Sequence, residues 1–262
     1  SLSLSQLNWF KPEGVEALFA ADMKITAEGI ESIDNFSISS VEAGLNVLGS
    51  ATFTGKSKLS RLSFDQAVIG KNDFTALMER KSDGTMEINA LGNTIDGSTL
   101  WASIRESDQS RANPLPTEKN DSSTFRFNGR MKTLILSSGG EMTDVTLNLD
   151  QSRIGLSRIS FNGFVKNGEQ FQLTLTPVDN VRSFEAKSKN GGAVLEVLGF
   201  GDDFVNGDLL LTGTILESGA VDGIFKMKSF QVVDAPLLAR LLSVASLTGI
   251  VDELNGDGIS FS

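Results

Sequence analysis

The chain has 262 residues, 40% hydrophobic and 21% charged, with a net charge of −10 and a pI near 4.6. It is long enough for one large β domain or two ordinary ones, and too apolar for wholesale disorder. The acidic balance and the lack of a basic run exclude nucleic acid as a partner and strong attraction to anionic membrane surfaces. Cysteine, histidine and tyrosine are absent, which removes disulfides, thiolate metal sites and the commonest general base together.

In chain order, Ser1-Leu2-Ser3-Leu4-Ser5 lacks the basic and apolar regions of a signal peptide and reads as the middle of a strand. Gly258-Ile259-Ser260-Phe261-Ser262 reads the same way, so the chain is expected to be cut at both ends. Between them, two-residue alternation dominates. It runs through Phe36-Ser37-Ile38-Ser39, Met86-Glu87-Ile88-Asn89, Phe125-Arg126-Phe127-Asn128, Val145-Thr146-Leu147-Asn148-Leu149-Asp150 and Phe171-Gln172-Leu173-Thr174-Leu175-Thr176. Successive strand side chains point to opposite faces, so this pattern builds sheets with one greasy and one wet face.

Asp-Gly or Asn-Gly pairs begin at Asp83, Asp96, Asn128, Asn162, Asn167, Asn190, Asn206, Asp222, Asn255 and Asp257. Many of them should be hairpin turns, because tight hairpins need positive φ. Short turns force antiparallel neighbours, and no helical crossover for parallel strands is visible. The expected fold is therefore mainly β, a long antiparallel meander of roughly 14 strands at about 4.8 Å spacing.

Residues 107–123, polar and carrying Pro114 and Pro116, read as a variable loop or linker between a strand block at 1–106 and a second region at 124–262. Two helices near the C-terminal end interrupt the strands. A short one covers Gly192 to Leu198, with Asn190 near its start and Gly199 as its stop. A longer one begins at Asp234, tolerates Pro236 early, and continues through Leu237, Leu238, Leu241, Leu242, Val244 and Leu247. It would cover an open edge of the sheet, plug it, or touch a membrane, although Arg240 is the only basic residue on it.

Other constellations carry little chemistry. Asp252, Asn255 and Asp257 miss the ligand spacing of a calcium loop. Asp202-Asp203 is a solvated pair rather than half of a glycosidase site. Gly199-Phe200-Gly201 follows a helix and lacks the spaced third glycine of a dinucleotide fingerprint. No catalytic residue, metal site or cofactor is expected.

The run from Phe230 to Ser243, FQVVDAPLLARLLS, continuing into Ala245-Ser246-Leu247-Thr248-Gly249-Ile250, resembles the C-terminal region of AsmA-like proteins, especially the YhdP type of Gram-negative bacteria. Gly191-Gly192-Ala193-Val194-Leu195-Glu196-Val197-Leu198-Gly199 and Gly207-Asp208-Leu209-Leu210-Leu211-Thr212-Gly213 are similar to that family's short helix and glycine-flanked strand. The likeness covers the chain from about Thr124 onward and stops short of the family's closing end. It implies a curled, groove- or taco-like sheet in the periplasm, anchored to the inner membrane by a segment outside this sequence. It further implies non-enzymatic conduction of phospholipid towards the outer membrane, with partners at both membranes.

Lining such a groove would fall to the alternating apolar residues Phe125, Phe127, Val145, Leu147, Leu149, Phe171, Leu173, Leu175, Leu209 and Leu211. The same ten would serve equally as the core of an ordinary sandwich or barrel, in a module that supports outer-membrane assembly through its edges and loops.

Overall fold

Strand pairing follows chain order throughout. A computed structural model of the protein describes residues 2–27, 29–55, 57–102, 124–137, 140–152, 155–179, 181–216 and 220–233. The strands are β1 (Leu2–Leu4), β2 (Trp9–Lys11), β3 (Leu18–Thr26), β4 (Gly29–Ser40), β5 (Leu45–Thr54), β6 (Lys58–Ile69), β7 (Asn72–Arg80) and β8 (Met86–Asp96). They continue as β9 (Phe125–Ser137), β10 (Gly140–Ser152), β11 (Gly155–Phe164), β12 (Gln170–Val178), β13 (Val181–Ser188), β14 (Phe204–Ile215) and β15 (Val221–Val232). Helix α1 occupies residues 98–102 and α2 Gly191–Val197. Strands β3 to β15 form one open sheet of 13 neighbours in sequence order, and β1 pairs with β2 apart from it. At about 4.8 Å per strand the sheet is about 58 Å across, near the expected extent.

One pairing departs from the meander. Strands β8 and β9 run parallel, in register from Met86 opposite Phe125 to Asp96 opposite Ile135. A parallel neighbour needs a crossover of a dozen or more residues, and residues 97–124 supply it, beginning with α1. Alternation cannot reveal strand direction, which is why the sequence reads as wholly antiparallel. The strand blocks on either side of residues 107–123 thus share one sheet; that segment itself lies outside the described residues, as does everything from Asp234 onward.

The Asp-Gly and Asn-Gly pairs need correction too. Asp83-Gly84 and Asn167-Gly168 do turn the chain between strands. Asp96-Gly97 instead leads into α1, and Asn190-Gly191 opens α2, where Asn190 Oδ1 accepts a hydrogen bond from Ala193 N at 3.1 Å. The pairs at Asn128, Asn162, Asn206 and Asp222 lie inside strands. Within a strand a glycine admits close approach rather than a turn: a Cβ at Gly213 would collide with the Asp222 carbonyl and the Phe184 ring.

Six strands carry an irregularity in register, at Leu136 in β9, at Ser157 in β11 and in four others. Register slips by one residue around Asp34 in β4, Asp65 in β6, Asn93 in β8 and Asp144 in β10. Each bulge resets the alternation, so Ile33 and Phe36, like Phe64 and Ala67, reach the same face at a spacing of three. Bulges also bend and twist the strand that carries them, and their repetition between β4 and β11 curls the sheet.

One long margin of the apolar face is capped. Residues 2–11 cover it at β5 to β8, where Trp9, Leu45, Val47, Ala67 and Ile69 form a buried cluster. Trp9 Nε1 donates to the Ala43 carbonyl at 2.7 Å. Asn72, 1% exposed, ties the cap down by donating to the Leu7 and Ile69 carbonyls while its Oδ1 accepts from Asp96 N. Further along, Ala193, Val194 and Val197 of α2 close a second cluster over Met131, Met142, Val145, Phe171 and Leu209. Trp101 Nε1 donates to the Leu198 carbonyl at 2.9 Å and links α1 to α2. The short helix forms nearly where the sequence places it, with Gly199 in left-handed backbone just beyond.

Candidate functional site: an apolar face with a free margin

Cross-strand register allows each face to be followed from β3 to β15. One row on the apolar face runs through Met23, Ile33, Ala51, Leu62, Met78 and Ile88. It continues through Phe127, Leu149, Ile159, Leu175, Phe184, Gly213 and Gly223. The next row passes Ala21, Phe36, Gly49, Phe64, Ala76, Ala90 and Gly129, then Leu147, Phe161, Leu173, Ala186, Leu211 and Phe225. Each row crosses all 13 strands without a polar side chain. Most of the larger residues in them, among them Phe36, Phe64, Met78, Phe127 and Leu147, are only half-buried.

Glycine keeps this floor low. A Cβ at Gly129 would lie 2.6 Å from the Phe127 ring, and one at Gly49 would lie 2.7 Å from the Phe36 ring. Each ring therefore rests on bare backbone beside it. Phe36 meets Phe64 edge-on at 6.1 Å between centroids, and Phe64 meets Phe74 at 6.4 Å, the arrangement favoured by ring quadrupoles. The resulting surface is continuous and apolar, and among the described residues only residues 2–11 and the two short helices cover part of it.

All ten sequence-predicted residues lie on this face, but they divide. Phe125, Phe127, Leu147 and Leu149 are half-buried along the open part, whereas Leu173 and Leu211, also half-buried, pack against the cluster under α2. Val145, Phe171, Leu175 and Leu209 are buried, and all of these except Leu175 belong to the cluster under α2. Equivalent positions in β3 to β8 complete the rows and are absent from the sequence-based set. Their signal is the recurrence of Ser32-Ile33-Asp34-Asn35-Phe36 as Ser63-Phe64-Asp65-Gln66-Ala67. In both, the serine hydroxyl donates to the aspartate inside the bulge, at 2.8 and 2.6 Å. The shift of three that a bulge imposes breaks the alternation by which such rows are recognised.

The opposite face is mostly polar, although Leu48, Leu91, Leu210 and Ile224 stand exposed on it. Across β6 to β11 one row reads Arg61, Glu79, Glu87, Arg126, Asp150 and Arg158. Arg61 pairs with Glu79, Arg126 and Arg158 share Asp150 at 3.2 and 3.7 Å, and Lys81 reaches Glu79 and Glu87 at 3.3 Å each. These hydrogen bonds, first to Glu79 and then to Glu87, raise the Lys81 pKa. Glu87 is held below its usual value by Asn89 and then by Lys81. Exposed pairs of this kind add little stability, but they keep the face wet and set the orientation of the sheet in water.

Two hollows of about 790 and 520 Å³ lie over β6 to β10 on this polar face, not on the apolar one. A twisted sheet is saddle-shaped, so either face is concave along one diagonal. Their walls carry Asn89, Asn128, Asn148, Thr75, Thr146 and Arg130 together with Leu77 and Leu91, and Asn128 Nδ2 donates to Asn89 Oδ1 at 3.0 Å. The half-buried stretches of the apolar rows, and not these shallow depressions, offer a binding surface.

Among the described residues there is no group of three or more potential metal ligands, and no helix long and apolar enough to cross a membrane. Comparison with protein-family models, with curated proteins and with solved structures found no match to this chain.

Proposed function

We propose that this chain is a non-enzymatic carrier of phospholipid in the Gram-negative cell envelope, its apolar rows shielding acyl chains from water. The observation that carries the reading is the pair of apolar rows unbroken over 13 strands, in which most of the larger residues stay only half-buried while the reverse face carries most of the charge. A globular protein gains by covering such a surface; leaving much of it open has a cost that an apolar occupant removes. Transfer of one methylene from water is worth about 0.8 kcal/mol, so two chains of roughly 15 methylenes represent about 24 kcal/mol. Continuity favours sliding over tight capture, because no residue in either row offers a specific polar contact. The resemblance to AsmA-like proteins supports a periplasmic setting, an inner-membrane anchor elsewhere in the polypeptide, and partners at both membranes.

A second reading, a module supporting outer-membrane assembly with a solid β core, draws on the burial of Val145, Phe171, Leu175 and Leu209. Photo-crosslinking separates the two. Benzoylphenylalanine replaces Phe64 or Phe127 in the rows, and Asn89 or Arg126 on the reverse face; each variant is irradiated with vesicles of phosphatidylethanolamine and phosphatidylglycerol. Phospholipid adducts at the row positions alone are the expected result. Absence of adducts, or equal yields on both faces, would defeat the carrier reading and leave the solid-core module.

A further inference from the structure

Beyond the two rows, towards the uncapped margin, the register defines a marginal row of different character. It reads Arg80, Met86, Phe125, Gln151 and Leu156, then resumes at Pro177, Arg182, Ile215 and Val221. Among the described residues, Arg80 and Arg182 are the only charged side chains that the register places in this row or in the two apolar rows. On the reverse face, Arg61, Lys81, Arg126 and Arg158 have carboxylate partners, whereas Arg130 and Lys132 form no ion pair among the described residues. Neither Arg80 nor Arg182 forms an ion pair among the described residues, in a chain whose acidic residues outnumber basic ones by 33 to 23.

Both guanidinium groups are held at the margin by backbone. Arg80 Nε donates to the Leu59 carbonyl and its Nη1 to the Gly84 carbonyl, each at 3.3 Å. Arg182 Nη1 reaches past β12, where its pairing partner is Pro177, to the Leu156 carbonyl of β11 at 2.7 Å. Both residues are half-buried, so their stems lie along the greasy face while the heads stay at its rim. A guanidinium has more donors than these bonds use, and its planar fork matches a phosphate.

We propose that Arg80 and Arg182 mark two separate positions at which the phosphate of a phospholipid docks, its acyl chains lying across the rows towards the capped margin. The proposal rests on the carrier reading above and gives the bound lipid an orientation. From Arg80 to Phe74, the first capped-side ring on β7, is six residues, about 20 Å of strand; the hydrocarbon depth of one bilayer leaflet is about 15 Å. Six strand spacings, about 29 Å, separate β7 from β13, so one headgroup cannot bridge both arginines. A lipid moving along the rows would pass from one cationic station to the next.

The test uses the purified chain and phosphatidylcholine vesicles carrying equal minor fractions of phosphatidylglycerol and diacylglycerol, which share acyl chains but differ in the phosphate. Native mass spectrometry reads the ratio of the two taken up. Unsubstituted protein should favour phosphatidylglycerol about tenfold, each of R80Q and R182Q should lower that ratio about threefold, and the double variant should abolish it. R80K and R182K, which keep the charge, should retain most of it. R126Q and R158Q, which remove the same charge from the reverse face, should leave it unchanged. Lipid uptake with an unaltered ratio in R80Q/R182Q would overturn the headgroup assignment and spare the carrier; an equal drop in R126Q/R158Q would also overturn it, as a bulk charge effect. No uptake by the unsubstituted protein would remove the carrier reading, and this proposal with it.

Discussion

The capped and free margins of the sheet are built from the same alternating residues, yet they behave as different materials. Beneath α2 and residues 2–11, Met142 and Ala67 are 0% exposed and Val145 1%. A few residues further along the strand that carries Met142 and Val145, Leu147 and Leu149 remain only half-buried. The capped margin is ordinary protein interior, where close packing makes each methylene count. The free margin has the same chemistry with one side of its packing missing. An apolar strand face is thus a core or a binding surface according to what lies over it, and here a single sheet contains both.

That comparison is open to direct attack. The largest effect is expected from truncating the capped side: Met142→Ala should cost about 2–5 kcal/mol in urea unfolding, since the cavity has nowhere to collapse. Leu147→Ala, five residues away on the same strand, should cost less than about 1.5 kcal/mol, because water already reaches the site. Equal losses would mean that the two margins are packed alike and the rows are not open.

Next comes the polar pin under the cap. Asn72→Leu keeps the volume but strands the Leu7 and Ile69 carbonyls and Asp96 N without their partner. A loss of about 2–3 kcal/mol is expected, with faster hydrogen exchange in residues 2–11. A stability unchanged from the parent would show that the segment is held by Trp9 alone.

The smallest effect concerns pH. Asp96 is 2% exposed; burial pushes its pKa up, but hydrogen bonds from Ser98 Oγ, Asn8 Nδ2 and Ser98 N together outweigh that and leave it lowered. A carboxyl with a depressed folded pKa contributes stability that is present above its unfolded pKa, about 3.9, and is lost as pH falls through the folded value. Stability should therefore decline in that acid range, and Asp96→Asn should flatten this part of the profile. Identical acid profiles for the two proteins would remove Asp96 from the docking of the cap.

How much of this is legible in the sequence varies along the chain. In β9 to β14 the runs from Phe125, Val145 and Phe171 alternate long enough to show their face, and the ten residues chosen from them, with Leu209 and Leu211, share it. In β4 and β6 the bulges at Asp34 and Asp65 break the period, so Ile33, Leu62 and Phe64 escape notice, and Phe36 is read only in its own alternating run, although all four extend the same rows. The parallel join of β8 to β9 is hidden for another reason, since alternation is the same in either strand direction. Asn128-Gly129 looks like a turn because glycine is read locally, whereas in the sheet it makes room for the Phe127 ring.

The sequence by itself determined the strands, their two-faced character, the cap of the short helix at Asn190 and the order in which neighbours meet, because period and turn chemistry act over a few residues. Only the tertiary structure decided which part of the greasy face is covered, and that Arg80 and Arg182, 102 positions apart in the numbering, stand in one marginal row. Those outcomes depend on register and on bulges that reset it, and on segments remote in the chain that settle over one margin and leave the other to the solvent.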